Sequence, residues 1–219
     1  MTSAVLQCIA VITMFIDHLG YEIFSNVPIL RMIGRLSFPI FTFMLAEGFL
    51  HTRDRKKYVL RLAVFAVISE LPYQIFSHGG IGNIFPLRPW ENILFELLLA
   101  FGALWCVEKG KFWYFGAAAL VVLAELGGFM YGAYGILLAI AFCVFKERRW
   151  AAMLSLTVLT LAYCLYFNNW TQIYAVAAVI PLGLYNGQKG QRLPRYFCYA
   201  FYPIHLLVIY GMYAAMKYI

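Results

Sequence analysis

Nine apolar segments follow one another along this chain, and each is long enough or nearly long enough to cross a lipid bilayer as a helix. A spanning helix needs about 20 mostly apolar residues. Short breaks with Gly, Pro or Asn separate the segments. Since backbone polar groups in lipid must be paired within the segment, we predict an all-α, polytopic transmembrane helix bundle. The predicted spans are residues 4–24, 36–52, 58–77, 92–108, 111–127, 129–146, 150–167, 171–187 and 196–218.

Composition excludes an ordinary soluble protein. Hydrophobic residues make up 63% of the 219 positions and charged residues only 12%, whereas soluble domains have about 25% charged residues. We therefore expect one integral-membrane domain over residues 1–219, with the lipid bilayer as its main surroundings. The first segment lacks a small-residue cleavage site and is long, so we expect it to be retained and not removed as a signal peptide.

Two alternatives concern smaller features of the chain. The pair Gly127-Gly128 could mark a re-entrant hairpin instead of the break between two spans, and the sequence leaves this open. The five cysteines are scattered through apolar stretches without metal-ligand spacing, so we expect packing roles and no metal site.

Basic residues indicate the orientation of the bundle. Thirteen of the 17 Lys and Arg residues fall in or beside even-numbered breaks. The positive-inside rule then predicts a cytoplasmic N-terminus and an external C-terminus. The net charge of +7 is explained by this asymmetry, and we expect no nucleic-acid partner. The thirteen are Arg53, Arg55, Lys56, Lys57, Arg61, Lys109, Lys111, Lys146, Arg148, Arg149, Lys189, Arg192 and Arg195, and the other four are Arg31, Arg35, Arg88 and Lys217.

Ionisable residues inside the predicted spans are costly in lipid and suggest a functional site. At 1.5 Å per residue, Asp17 and His18 lie about 20 Å along the first helix, slightly beyond the midplane. We place His205 near the midplane and Glu47 nearer the cytoplasm. The outer half is expected to hold Arg31, Arg35, Glu70, Glu96 and Glu125.

Each of these groups has two readings. Asp17 and His18 could lock the first helix in place, or the histidine could act as a general base oriented by Asp17 or Glu22. Arg31 and Arg35 share one helical face, where they could neutralise the outer glutamates or bind a phosphate or an oxyanion. His205 follows Pro203 and could be a core histidine or part of the site.

An ordered set of motifs makes the chain resemble the TraX family of membrane proteins. Near the N-terminus stand Met14-Phe-Ile-Asp17-His18-Leu-Gly20 and Arg31-Met-Ile-Gly-Arg35-Leu-Ser-Phe-Pro39, followed by Ala46-Glu-Gly48, Thr52-Arg53, Tyr58, Arg61-Leu and Ser69-Glu70-Leu-Pro72-Tyr73. Tyr202-Pro203-Ile-His205-Leu stands near the end. The resemblance covers about residues 5–77 and 196–210. Residues 80–190 show no motif of the family.

The resemblance implies an acyltransferase. The family member encoded on conjugative plasmids is linked to acetylation of the N-terminal amine of pilin, and similar multi-pass enzymes use cytosolic acyl-CoA. It implies a bacterial cytoplasmic (inner) membrane protein in which His18 is the catalytic base and Asp17 orients it. It also gives Arg31 and Arg35 a polar role in binding, and Glu70 and His205 a role in lining the site.

Substrates are expected from both sides of the membrane. We expect acetyl-CoA as the acyl donor, with its phosphates attracted by Arg53, Lys57 and Arg61, although the positive-inside rule also explains these residues. An amine or hydroxyl acceptor, such as a pilin or another surface molecule, would approach past the loop that contains Arg88. Direct transfer and an acyl-histidine intermediate are both open.

Two other functions compete with this one. A proton-coupled transporter also uses buried histidines and carboxylates, but the sequence has no internal repeat, and its ionisable groups lie mostly on one side of the midplane. A non-catalytic scaffold for assembly of a surface structure would tolerate substitution of Asp17 and His18.

Overall fold

The computed structural model describes residues 1–83, 89–191, 194 and 196–217, and within these ranges every regular element is helical. The all-α prediction is therefore confirmed. Two 3₁₀ helices cover Ile81–Asn83 and Trp170–Ala178. The α-helices are α1 (Ser3–Glu22), α2 (Pro28–Gly34), α3 (Ser37–His51), α4 (Arg55–Ser77), α5 (Ile93–Lys109), α6 (Trp113–Leu126), α7 (Gly132–Val144), α8 (Arg149–Phe167), α9 (Val179–Gly183) and α10 (Phe197–Lys217).

Five helical segments of the described chain are long and apolar enough to cross a membrane. They are α1, the continuous stretch Pro28–His51, α4, α8 and α10. The apolar segments Trp113–Leu126, Gly132–Val144 and Trp170–Gly183 are shorter, and an α-helix of 14 residues reaches only about 21 Å. Each predicted span coincides with a helical segment. That all nine cross the bilayer stays a prediction, and so does the re-entrant alternative for α6 and α7.

The surface of the bundle carries large apolar side chains. Leu60 and Val67 on α4 are 63% and 66% exposed, and Leu165 on α8 is 64% exposed. A soluble protein rarely exposes so much apolar surface on its longest helices, since water would make it costly. These helices fit a membrane protein whose lipid-facing surface is apolar.

The basic breaks of the sequence meet at one end of the bundle, which we call the basic end. Arg55 at the start of α4 forms an ion pair with Glu108 near the end of α5. Arg149 at the start of α8 donates to the backbone oxygen of Tyr185 at 2.6 Å. The backbone N–H of Ser3 donates to the oxygen of Gln188 at 2.8 Å. The cytoplasmic orientation of this end stays a prediction. Arg192 and Arg195, counted with this group, and Arg88 lie outside the described residues.

Helix α1 positions the buried polar groups. Its buried residues Leu6, Ala10, Met14, Asp17 and Gly20 recur at intervals of three or four, so they share one face. That face packs against α2, α3 and α10.

Helix α2 approaches α1 closely at Gly34. A Cβ atom at that position would collide with the side chain of Asp17. Pro28 at the start of α2 has the fixed φ that suits a first helical position. The short helix therefore begins at Pro28 and brings Arg31 and Arg35 to the outer part of α1.

Candidate functional site

A cavity of about 680 Å³ runs along α1. At the basic end it is lined by Ser3, Gly187 and Lys189, and farther along the helix by Asp17 and His18. Fifteen residues separate Ser3 from His18, so this part of the cavity follows about 22 Å of helix. The cavity therefore joins the basic end to the buried polar groups.

Asp17 is held by two arginines at the outer part of this cavity. Nη2 of Arg35 lies 2.5 Å from each carboxylate oxygen of Asp17. Nη1 of Arg31 lies 2.7 Å from Oδ2 and 3.2 Å from the backbone oxygen of the same residue. The Asp17 side chain is 12% exposed, that of Arg35 12% and that of Arg31 28%. Two cations thus share one buried anion, and Arg31 is the more accessible of the two.

A second layer of contacts fixes Arg35. Its Nη1 lies 3.4 Å from the hydroxyl of Tyr131 and 3.4 Å from Oε1 of Gln172. The Tyr131 ring stacks on Phe38 at 3.7 Å between centroids. The backbone N–H of Tyr131 donates to Glu96 at 2.6 Å. Arg35 is therefore anchored to the residue before α7 and to the 3₁₀ helix Trp170–Ala178 as well as to α1.

The histidine on α1 pairs with the histidine on α10. Nδ1 of His18 lies 2.8 Å from Nε2 of His205, and Nδ1 of His205 lies 2.9 Å from the backbone oxygen of Phe201. His205 is 2% exposed, whereas His18 lines the cavity. The structure thus brings together five sequence-predicted polar groups. Asp17, Arg31 and Arg35 form one cluster, and His18 and His205 form an adjacent pair.

These pairings differ from the expected ones. Among the described contacts, neither Asp17 nor Glu22 bonds to the His18 ring, whose nitrogen partner is His205. For Asp17 the reason is geometric, since successive helical residues point about 100° apart. Arg31 and Arg35 neutralise Asp17 and not the outer glutamates.

The three outer glutamates accept backbone N–H groups at or just before the first turns of helices. Glu70 accepts the backbone N–H of Glu91 at 3.1 Å and bonds to Asn92, which caps α5. Glu125 accepts the N–H of Ala133 at 2.9 Å in the first turn of α7, and Glu96 accepts that of Tyr131 just before it. Glu70 was expected to line the site, but it is not among the described residues that line the cavity. An unpaired N–H in lipid is costly, which gives these carboxylates a structural task.

The basic residues expected to bind the donor lie outside the cavity wall. Of the described lining residues, none is Arg53, Lys57 or Arg61. Lys57 pairs with Asp54 at 3.0 Å, and Arg61 lies over the Tyr58 ring at 5.7 Å. Among the described residues, the Lys or Arg side chain that lines the cavity at this end is Lys189, which the sequence analysis counted only among the thirteen residues that indicate orientation.

No group of three or more His, Cys, Asp or Glu residues in the described ranges could hold a metal ion.

Comparison with known proteins places these features in a family. The model of a family described as TraX protein matches residues 2–213. The chain is similar to the probable fimbrial assembly protein FimC, serogroup H1, of Dichelobacter nodosus, with 27% identity over 93% of this chain and 92% of that protein. It is also 35% identical over 66 residues to an uncharacterized protein of Rickettsia prowazekii, covering 30% of this chain and 25% of that protein. No solved structure matches.

Proposed function

Because the chain belongs to the TraX family, we propose that it is a membrane-embedded acyltransferase. It moves an acyl group, acetyl in the simplest case, from cytosolic acyl-CoA to an amine or hydroxyl at the outer side of the bacterial inner membrane. The observation that carries the proposal is the cavity that joins the basic end to His18. A donor that enters from the cytoplasm needs such a path to reach a buried base.

The donor site follows from the shape and charge of the cavity. The phosphates of CoA stay at the basic end, where Lys189 lines the cavity. The narrow pantetheine arm extends along α1 and presents the thioester beside His18. Met14, Phe38 and Leu45 are among the apolar residues that line the cavity, and they suit the apolar parts of this arm.

The chemistry requires one base and one stabiliser of negative charge. A neutral acceptor amine attacks the thioester carbon while His18 takes one of its protons, which gives a tetrahedral oxyanion. The C–S bond then breaks, and the proton on His18 passes to the CoA thiolate. The products are the acylated acceptor and CoA thiol, so atoms and charge balance.

Arg31 is the best candidate to stabilise the oxyanion. Its described hydrogen bonds all use Nη1, and its side chain is 28% exposed, so N–H donors remain for a ligand. Arg35 is instead fixed by Asp17, Tyr131 and Gln172. One well-placed donor commonly contributes about 3 kcal/mol to transition-state stabilisation.

The acceptor is inferred from the relatives. A protein named as a probable fimbrial assembly protein aligns with nearly the whole chain. We therefore propose a pilin-type subunit as the acceptor, modified at an amine or hydroxyl that reaches the outer part of the cavity. The N-terminal amine is the first site to test.

The proposal is tested with purified protein in nanodiscs. We expect the wild type to bind radiolabelled acetyl-CoA and to transfer or slowly hydrolyse the acetyl group. His18→Gln should lower turnover by about 100-fold or more, since a general base contributes about 100- to 10,000-fold. His78→Gln is the matched control, because His78 lies outside the cavity wall of the described residues.

Two results would contradict the proposal. Wild-type protein that is folded but neither binds acetyl-CoA nor consumes it has no donor site. A His18→Gln variant that retains full turnover has its base elsewhere. In the first case, proton-coupled transport in liposomes is the next measurement.

A further inference from the structure

The two buried histidines form a chain of hydrogen bonds whose direction can be deduced. Nδ1 of His205 lies 2.9 Å from the backbone oxygen of Phe201. A carbonyl oxygen can only accept, so Nδ1 of His205 carries a proton. His205 is 2% exposed, and the described partners of its ring nitrogens are His18 and the Phe201 carbonyl, with no carboxylate among them. Since a buried charge without a partner is costly, the neutral form of this ring is favoured.

The proton on His205 determines the proton on His18. A neutral imidazole protonated at Nδ1 has a lone pair at Nε2. That atom lies 2.8 Å from Nδ1 of His18, so His18 must donate its Nδ1 proton. The lone pair of His18 then lies at Nε2. Because His18 lines the cavity, this is the nitrogen left for a substrate.

We propose that His205 is a positioning residue that holds His18 in the Nδ1-protonated tautomer and so makes Nε2 of His18 the catalytic base. The inference rests on the proposed function of His18 and deepens it. The ordered unit runs from the Phe201 carbonyl through His205 to His18, and it joins α10 to α1.

Aromatic contacts restrict rotation of both rings. The Phe201 ring stacks on His205 at 4.9 Å with an interplanar angle of 12°. Phe76 packs edge-on against His18 at 5.2 Å. A ring that cannot turn presents one nitrogen in one direction, which is the condition for efficient general-base catalysis.

The same arrangement stabilises the protonated base. When Nε2 of His18 takes a proton, the positive charge spreads over the ring and strengthens the bond from its Nδ1–H to His205. No proton needs to move to His205. A carboxylate performs this task in serine hydrolases. Here the nearby carboxylate of Asp17 is occupied by two arginines, and a neutral imidazole takes that place.

The direct test is the tautomer of His18, read by NMR of protein labelled with ¹⁵N-histidine. We expect wild-type His18 to be protonated at Nδ1 and not at Nε2. His205→Gln keeps an acceptor oxygen near the position of Nε2 and should preserve this tautomer. His205→Leu removes the acceptor and should allow the Nε2-protonated form.

Kinetics separate positioning from general structural support. His205→Leu should lower kcat by about 100-fold with KM little changed, because His18 then favours the wrong tautomer and its protonated form loses the acceptor for Nδ1–H. His205→Gln should restore most of the loss. His78→Leu is the matched control, since the His78 ring also lies near a carbonyl four residues earlier, at 3.1 Å from Gln74, yet it does not contact His18. It should leave kcat unchanged.

Each outcome supports the inference or overturns it. Wild-type His18 protonated at Nε2 overturns it, and so does a His205→Leu variant with a wild-type melting temperature and wild-type kcat. If wild type transfers no acyl group, the proposed function fails, but the NMR spectra still show whether His205 determines the His18 tautomer.

Discussion

At the scale of single residues, the ion pairs of Asp17 are the most consequential contacts. Two guanidinium groups lose their counter-charge if this one carboxylate is removed. Breaking a buried ion pair by removing one partner costs about 3–5 kcal/mol, since the other charge is left uncompensated. Asp17 therefore supports folding whether or not it takes part in catalysis.

We predict that Asp17→Asn lowers the stability of the detergent-solubilised protein by about 3–5 kcal/mol. The measurement is thermal or denaturant unfolding. Asp54→Asn is the matched control, because Asp54 is exposed and caps α4 through the Lys57 N–H, a task that Asn performs equally well. Equal stability of the two variants would show that the Asp17 pairs contribute little.

The sequence made some of these residues easy to find. Asp17, His18, Arg31, Arg35 and His205 stand out because charged or polar groups inside apolar spans are rare. Their partners could not be assigned, since pairing depends on how each helix is rotated and packed. Nor could the Phe201 carbonyl be recognised, because every residue has one and only tertiary structure shows which one matters.

At the scale of elements, each predicted span agrees closely with a helical segment of the described residues. Residues 58–77 and 150–167 correspond to Arg55–Ser77 and Arg149–Phe167. Long apolar runs decide helix positions locally, which is why the prediction succeeded. The short helix α2 was missed as a separate element. Glu70 was expected to line the site, although it bonds to Asn92, the N-cap of α5. Both depend on contacts between segments far apart in the chain.

Close packing of α7 against its neighbours yields an element-scale prediction. A Cβ at Gly135 would collide with Glu96 and lie 2.9 Å from the ring of Phe38. We expect Gly135→Ala to cost about 1–3 kcal/mol, because these side chains must shift. Glu96 also holds Tyr131, which contacts Arg35, so acyl transfer should fall as well.

The control for that variant lies on α10. A Cβ at Gly211 meets no atom within 4 Å. Gly211→Ala should therefore leave stability unchanged or raise it slightly, since alanine favours a helix more than glycine does. The packing argument would be wrong if both variants unfolded at the same temperature as wild type.

At the scale of the whole molecule, basic residues from separate breaks of the sequence lie together at one end of the bundle. The contacts of Arg55 and Arg149 show this grouping. The side of the membrane that the basic end faces follows from the positive-inside rule.

We predict that the basic end is cytoplasmic. In a cysteine-free background, Lys57→Cys should react with a membrane-impermeant maleimide only after the membrane is opened. Asn83→Cys, beyond α4 at the other end, should react in intact spheroplasts. Both positions are exposed, so access to the reagent decides the result. The reverse labelling pattern would contradict the predicted orientation.

The elongated cavity also bears on the permeability of the membrane. Because the cavity follows about 22 Å of helix, little protein is left between the two aqueous phases. A leak of protons through it would dissipate the energy stored across the bilayer. The part of the cavity near Asp17 has an excess positive charge, because the two guanidinium groups of Arg31 and Arg35 face this one carboxylate. Fixed arginines of this kind repel protons and hydrated cations in water channels. We therefore expect the residues that hold Asp17 to keep the membrane electrically tight while a neutral thioester is delivered to His18.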